Sequence, residues 1–515
     1  MKDLRDFISL LRERGQLAVI DLPVDPVLEM TEIADRVVKS GGPALLFLRP
    51  KGYSIPVLMN QFGTQERVCL ALRASSYEEL ARRIEKLIAF ETPGTTWDKL
   101  KALARLKELA ALQPRVVKRG ACQEVVLSGE EVDLERLPVL QCWPLDAGRY
   151  LTLPLVFTRD PVTGRRNVGM YRMQVFDKRT TGMHWHIHKD AAQHYRAAQR
   201  AARGRLEAAV AIGVDPALTY AATAPLPPAI DEMLLAGFLR GEAVNLVQCR
   251  TVDLQVPDHA EFVLEGYIDL EETRLEGPFG DHTGYYSLAD YYPVFHVTAL
   301  THRRDPIYAT TVVGRAPMED AFLGKATERI FLPLLRLTLP ELVDLDLPVE
   351  GGFHNCALVS ITKRYPLHAR KVMHALWGTG QMQFAKCIVV VDADVNVHDY
   401  AEVAWRVFNN VDWQRDVVVV EGPLDVLDHS SPQPLWGGKI GIDATRKGPD
   451  EGHPREWPPD VVMAPEVKAR VDELWSQLGL ESWSQSARGL ASSSQPDSRP
   501  QPSPGSMPAS EEDLV

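Results

Sequence analysis

The sequence predicts an α/β chain of several domains (α+β in its mixture of layers), on three observations. It has 515 residues, more than one ordinary hydrophobic core organises. Its middle, from about Gly120 to Val313, is a succession of short alternating or apolar runs cut by turn residues. Its last folded part alternates apolar strand-like runs with amphipathic helical ones. These shifts place domains at residues 1–115, 116–320 and 321–480, followed by a tail at 481–515.

The N-terminal domain mixes both element types. Leu4, Phe7, Ile8 and Leu11 recur at helical spacing with charges between them, so the opening MKDLRDFISLLRERGQL reads as an amphipathic helix rather than a signal peptide. PALLFLR and IPVLMN read as buried strands, YEELARRIEKLIAF and WDKLKALARLKELAAL as helices, the second ending near Pro114. In the central domain EVVLSG, LTLPLVFTRD, NVGMYRMQVFD, AAVAIGVD, NLVQC, EFVLEGYIDL, PVFHVTALTHR and IYATTVV suggest an antiparallel barrel or sandwich, interrupted by one helix at DAAQHYRAAQRAARG. A helical passage from Ala326 to Leu339 leads into CALVSI, HARKVMHALW, KCIVVVD, YAEVAWRVF and DVVVV. That β-α-β-α-β order predicts a parallel sheet with right-handed crossovers. Beyond Leu480 the chain is Ser/Pro-rich with few large apolar residues, the composition of a disordered tail.

Composition excludes some functions. A net charge of −12 argues against nucleic acid, whose phosphates need a basic face, and against an anionic membrane surface. No run approaches the roughly 20 apolar residues of a spanning helix, so no stable membrane insertion is expected. The six cysteines are scattered without CxxC or zinc-finger spacing, which fits reduced thiols and a cytoplasmic address.

Two stretches carry candidate chemistry. LEGPFGDHTGYY sets Glu276 and Asp281 around a GPFG turn, with His282 next to Asp281. It is open to two readings: a polar turn, or two carboxylates aimed at one point and held ionised by an arginine from a facing strand. NVGMYRMQVFDKRTTGMHWHIHKDAAQHY supplies Arg172 as that arginine; read as a strand, the run also alternates His184, His186 and His188 onto one face, with His194 on the next helix. Those histidines could bind a metal, line a cleft or simply pack. HExxH, GxxxxGK[ST] and a strand-following GxGxxG are all missing, so a bound phosphate needs other partners. Lys386, at the start of KCIVVVD, is one; a solvated strand end is the plainer reading.

Taken in order, NVGMYRMQV, MHWHIHKD, LPPAIDEMLLAGFLRGEAV, EGPFGDHTGYY, VGRAPMEDAFLGKATERIFLP, FAKCIVVVDADVNV and KIGIDATRKGPDEGHPREWP resemble the UbiD-type decarboxylases, from the N-terminus to about Leu480. The resemblance implies a central split β-barrel that binds prenylated FMN, and a C-terminal domain whose terminal helix dimerises. It implies Mn2+ (or Mg2+) on Asn167, His188 and Glu232, bridging to the flavin phosphate, with K+ (or Na+) beside it. Oxygen-rich ligation suits such ions better than zinc. Lys386 would also meet the phosphate, and Gly169, Met170, Arg172 and Ile187 would line the cofactor. The catalytic trio would be Arg172, Glu276 and Asp281, leaving His184, His186 and His194 as packing or cleft residues.

The implied reaction is a reversible, non-oxidative decarboxylation of an aromatic or α,β-unsaturated carboxylic acid. An sp2 carbon losing CO2 holds the left-over electron pair poorly and no side chain can accept it, which is what a flavin sink answers. IDATRKGPDEGHPREWP resembles the branch acting on hydroxybenzoate-type and quinone-precursor acids of ubiquinone or menaquinone biosynthesis. A flavin prenyltransferase would supply the cofactor, and the chain would form a homodimer or hexamer. The alternatives are the carboxylase direction, a non-catalytic flavin-binding subunit of a carboxylase, and an ordinary FMN reductase.

Overall fold

The spacing of the first apolar residues is met directly. In the computed structural model, which describes residues 1–89, 107–227 and 230–478, Leu4, Phe7, Ile8 and Leu11 are the buried face of the helix Leu4–Glu13. Asp3 caps it, its side chain accepting from the Asp6 amide at 3.0 Å. Ala44–Phe47 and Val57–Met59 pair antiparallel, with Leu17–Ile20 parallel on the outer edge. The fourth strand of that sheet is Tyr308–Ala309, paired parallel with Val57–Met59. The IYATTVV run thus leaves the central β region and joins the N-terminal sheet. Most of the expected helix WDKLKALARLKELAAL lies outside the described residues, as does the tail.

The central sheet has seven strands, in the order Thr180–Gly182, Asp290–His302, Phe262–Glu276, Arg205–Ile212, Leu155–Arg159, Arg166–Met170, with Val125–Ser128 also pairing Asp290–His302. Every pairing in it is antiparallel. Its spine is the long hairpin of Phe262–Glu276 and Asp290–His302, whose register slips between Glu265 and Gly266 and again between Ile268 and Thr273. Gly266 is demanded there: a Cβ would lie 1.9 Å from the His296 carbonyl oxygen. The far end of this hairpin carries LEGPFGDHTGYY.

The last sheet runs Leu342–Asp346, Cys356–Ile361, Cys387–Asp392, Trp436–Asp443, Val417–Pro423. The two strands expected to be parallel, Cys356–Ile361 and Cys387–Asp392, are so. DVVVV departs from expectation: it does not continue the parallel run. Trp436–Asp443 takes the place beside Cys387–Asp392, and Val417–Pro423 pairs antiparallel with Trp436–Asp443 at the edge. Residues Met1–Glu451 make one unit, and Gly452 begins a second. The described helix of that second unit, Pro465–Trp475, leaves Val467, Val471, Leu474 and Trp475 each 38–40% exposed. No described helix is long and apolar enough to cross a membrane.

Candidate active site

The turn at the end of the long hairpin brings Glu276 and Asp281 onto one guanidinium. Arg172 sits in the irregular link between Arg166–Met170 and Met173–Gln174. Its Nε donates to Glu276 Oε1 at 3.1 Å, its Nη1 to Asp281 Oδ2, and its Nη2 to Ser287 Oγ at 2.8 Å. The Phe279 ring lies under the guanidinium carbon at 4.6 Å. Phe279 comes from the GPFG turn itself, so the turn supplies both the carboxylates and the surface that orients their partner. Gly280 makes room for this: a Cβ there would stand 2.2 Å from Trp143 Cδ1, and Trp143 is pinned by its Nε1 donating to the Val313 carbonyl at 2.8 Å.

The two carboxylates have different second partners. Glu276 Oε2 meets His184 Nδ1 at 2.5 Å, and His184 Nε2 meets His186 Nε2 at 2.6 Å. Burial pushes the Glu276 carboxyl up, but His184 and Arg172 together hold it below its usual value. Burial, then the Arg172 charge, push His184 down, so it is neutral and donates from Nδ1 to the ionised Glu276. Asp281 accepts from the His282 amide at 2.8 Å and meets His282 Nδ1 at 3.0 Å. Against the cost of burial, His282 and Arg172 keep it well below the carboxylate range. His282 Nε2 meets His354 Nε2 at 3.0 Å and stacks on Phe353 at 5.2 Å, so a loop of the C-terminal sheet closes on the turn.

The expectation of three histidines on one strand face is corrected. The strand Thr180–Gly182 ends before them. His184 is buried on Glu276, His186 is half-buried beside it, and His188 turns outward, exposed, with its ring 5.3 Å from Phe384. Gly182, the last residue of that strand, packs on the site: a Cβ there would lie 3.2 Å from the Phe176 ring and 3.3 Å from Glu276 Cγ. His194 is structural, its Nδ1 at 2.9 Å from Thr158 Oγ1. Ile187 is 49% exposed.

The expected metal ligands are partly gathered. Glu232, capped by Asp231, opens the helix Glu232–Arg240, and its Oε2 accepts from the Val168 amide at 3.1 Å. That amide is next in sequence to Asn167, a buried side chain that reaches the Tyr171 hydroxyl. Burial pushes the Glu232 carboxyl up to about 7. A buried carboxyl beside a buried side-chain amide is a donor set that suits a hard cation, which would offset the cost of burying the carboxylate and take oxygen ligands from both. Gly169 packs against the hydroxyl end of Tyr171, where a Cβ would meet the hydroxyl at 2.3 Å, and the Met170 amide donates to the Ala222 carbonyl at 3.2 Å. Lys386, two residues beyond the Phe384 that carries His188, pairs with Asp428 Oδ2 at 2.7 Å and Ser430 Oγ at 2.5 Å.

Among the described residues, one set of three His, Cys or acidic side chains lies close enough to hold an ion: Glu328, Asp346 and His398. Its centre is already served by Lys325, whose Nζ is 3.0 Å from Glu328 Oε2 and 2.5 Å from Asp346 Oδ1. It is an ion-pair network joining helix Glu319–Thr338 to the last sheet.

Three family models match along the chain: the N-terminal, Rift-related and C-terminal domains of 3-octaprenyl-4-hydroxybenzoate carboxy-lyase, over residues 8–87, 115–316 and 321–444. An uncharacterized protein of Archaeoglobus fulgidus is 55% identical over 478 residues, covering 93% of this chain and 98% of its own length. Among solved structures, vanillic acid decarboxylase of Sedimentibacter hydroxybenzoicus in its closed form is 28% identical, with a TM-score of 0.82 over 93% of this chain and 99% of that one. An evolved dimeric form of the UbiD-class enzyme HmfF of Pelotomaculum thermopropionicum, in complex with prFMN, is 30% identical, with a TM-score of 0.73 over 91% and 98%. With all three domain models in order and a relative of more than half identity along nearly its whole length, the chain belongs to the UbiD family of carboxy-lyases.

Proposed function

We propose that this chain binds prenylated FMN and reversibly decarboxylates an aromatic or α,β-unsaturated acid of the hydroxybenzoate or quinone-precursor kind. The observation that carries the reading is Arg172 held between two buried carboxylates of unequal surroundings, within a chain whose fold matches a solved decarboxylase over 93% of its length. The flavin, when bound, supplies the electron sink for the bond that breaks. Arg172 holds the substrate carboxylate and keeps Glu276 ionised. Glu276 takes up a proton and delivers it to the carbon that CO2 vacates, so the net reaction consumes one proton for each CO2 released. Asp281, clamped by His282, stays an anion and fixes the Arg172 fork.

Asn167, Glu232 and His188 would hold Mn2+ or Mg2+, with K+ or Na+ beside it. Lys386 would exchange its Asp428 partner for the cofactor phosphate. A flavin prenyltransferase supplies the cofactor, and the working form is a homodimer or hexamer. The test is co-expression with that prenyltransferase, mass spectrometry of the extracted flavin, and a panel of phenolic, naphthoic and cinnamic acids followed by CO2 release. Ordinary FMN bound to active enzyme, or a nicotinamide requirement, overturns the proposal.

A further inference from the structure

Four of the six cysteines, Cys69, Cys122, Cys142 and Cys249, are buried. The other two are half-buried neighbours. Cys356 and Cys387 open adjacent parallel strands and are register partners, so their side chains leave the same face of the sheet side by side. Strands in a sheet lie about 4.7–4.9 Å apart, inside the roughly 4.4–6.8 Å Cα separation that a disulfide spans. Both residues are only half-buried, at the rim of the apolar cluster of Leu358, Val389 and Val391. The Asn355 carbonyl accepts from the Lys386 and Cys387 amides, both at 2.9 Å, so the two strand starts are already laced together.

We infer that Cys356 and Cys387 form a two-thiol modification site that a low-molecular-weight disulfide closes into a bridge between the strands. The two thiols lie within hydrogen-bond reach of each other. When Cys387 opens the exchange, it does so as the thiolate. Its thiolate displaces one half of the oxidant as a thiolate, leaving a mixed disulfide on Cys387. Cys356 then attacks the Cys387 sulfur, expels the second half, and its proton goes to the thiolate released. Two protein thiols are oxidised, and one external disulfide is reduced to two thiols. The bridge ties the segment carrying His354, which bonds His282, to Lys386, which precedes Cys387.

The test uses the full-length folded protein incubated with oxidised glutathione, then denatured, alkylated and digested for mass spectrometry. The expected result is a fall from six alkylated cysteines to four, with the missing pair recovered as a Cys356–Cys387 linked peptide that a reductant opens. Cys356→Ser should halt at glutathione on Cys387. Six free thiols in the wild type, or glutathione on both residues without a linked peptide, overturns the inference. The wild-type map decides the matter even if the variant fails to fold.

Discussion

Replacing Glu276 with Gln removes one charge and no volume. Glu276 is fully buried and accepts two bonds, from Arg172 Nε and His184 Nδ1. Glutamine can keep its oxygen on Arg172 and turn its NH2 to His184. The imidazole then moves its proton to Nε2 and accepts at Nδ1, so both contacts survive as weaker ones. The Arg172 bond stays charge-assisted because the guanidinium keeps its charge; only the His184 contact changes from a bond to a charged group, worth about 1.5–3 kcal/mol, to a neutral one, worth about 0.5–1.5, a loss of about 1 kcal/mol. The cluster also changes from one cation with two anions to one with one, which eases its burial, so the net loss should stay at or below about 1 kcal/mol. The effect on turnover is larger. A glutamine cannot take a proton and pass it to carbon, and losing a positioned acid costs about 10²–10⁴-fold. The assay compares CO2 release and deuterium incorporation at the vacated carbon at equal flavin loading, with thermal unfolding alongside. Turnover within about threefold of wild type would refute the role given to Glu276.

Gly280→Ala puts a methyl against the fixed Trp143 ring, and overpacking of that kind costs about 1–3 kcal/mol; thermal unfolding should show it, and kcat should fall because Asp281 is the next residue. Glu232→Ala should lose bound divalent metal in elemental analysis of the purified protein while leaving the Arg172 cluster intact; an unchanged metal content counts against the donor set. His398 bonds Asp344 and Asp346, which raise it to about 9. A raised histidine stabilises fully below its unfolded value of about 6.5, and that contribution fades as pH rises through 9. His398→Gln should therefore flatten the fall in unfolding temperature between those two values, by a modest amount because the side chain is 41% exposed.

What the sequence revealed and what it hid divide along a physical line. Helical and strand periodicity are local, so Leu4, Phe7, Ile8 and Leu11 announced their helix and CALVSI and KCIVVVD their strands. The partner of a strand is not local. DVVVV has the stronger strand composition, yet WGGKIGID takes the inner place, and its glycines hide it from any propensity count. Gly441 is there because a Cβ would meet Met373 Sδ at 2.5 Å, a requirement set by helix His368–Trp377 packing on the sheet. The turn carrying Glu276 and Asp281 is legible because its acids, its turn residues and its aromatic support lie within a dozen positions. His184 is visible but misplaced: alternation predicts a strand face, whereas the strand stops at Gly182 and His184 turns onto Glu276. His354 could not have been found, since it lies 72 residues from His282 and its neighbours carry no motif. Its position nonetheless bears on the chemistry. Asp281 stays an anion partly through His282, and His282 meets the His354 ring from the turn before the strand Cys356–Ile361, so the separation of roles proposed for the two acids depends on how that turn seats against His282. Replacing His354 with Phe should keep the Phe353 stack but release His282 Nε2, and the pH dependence of kcat should shift while that of the Glu276→Gln residual rate does not.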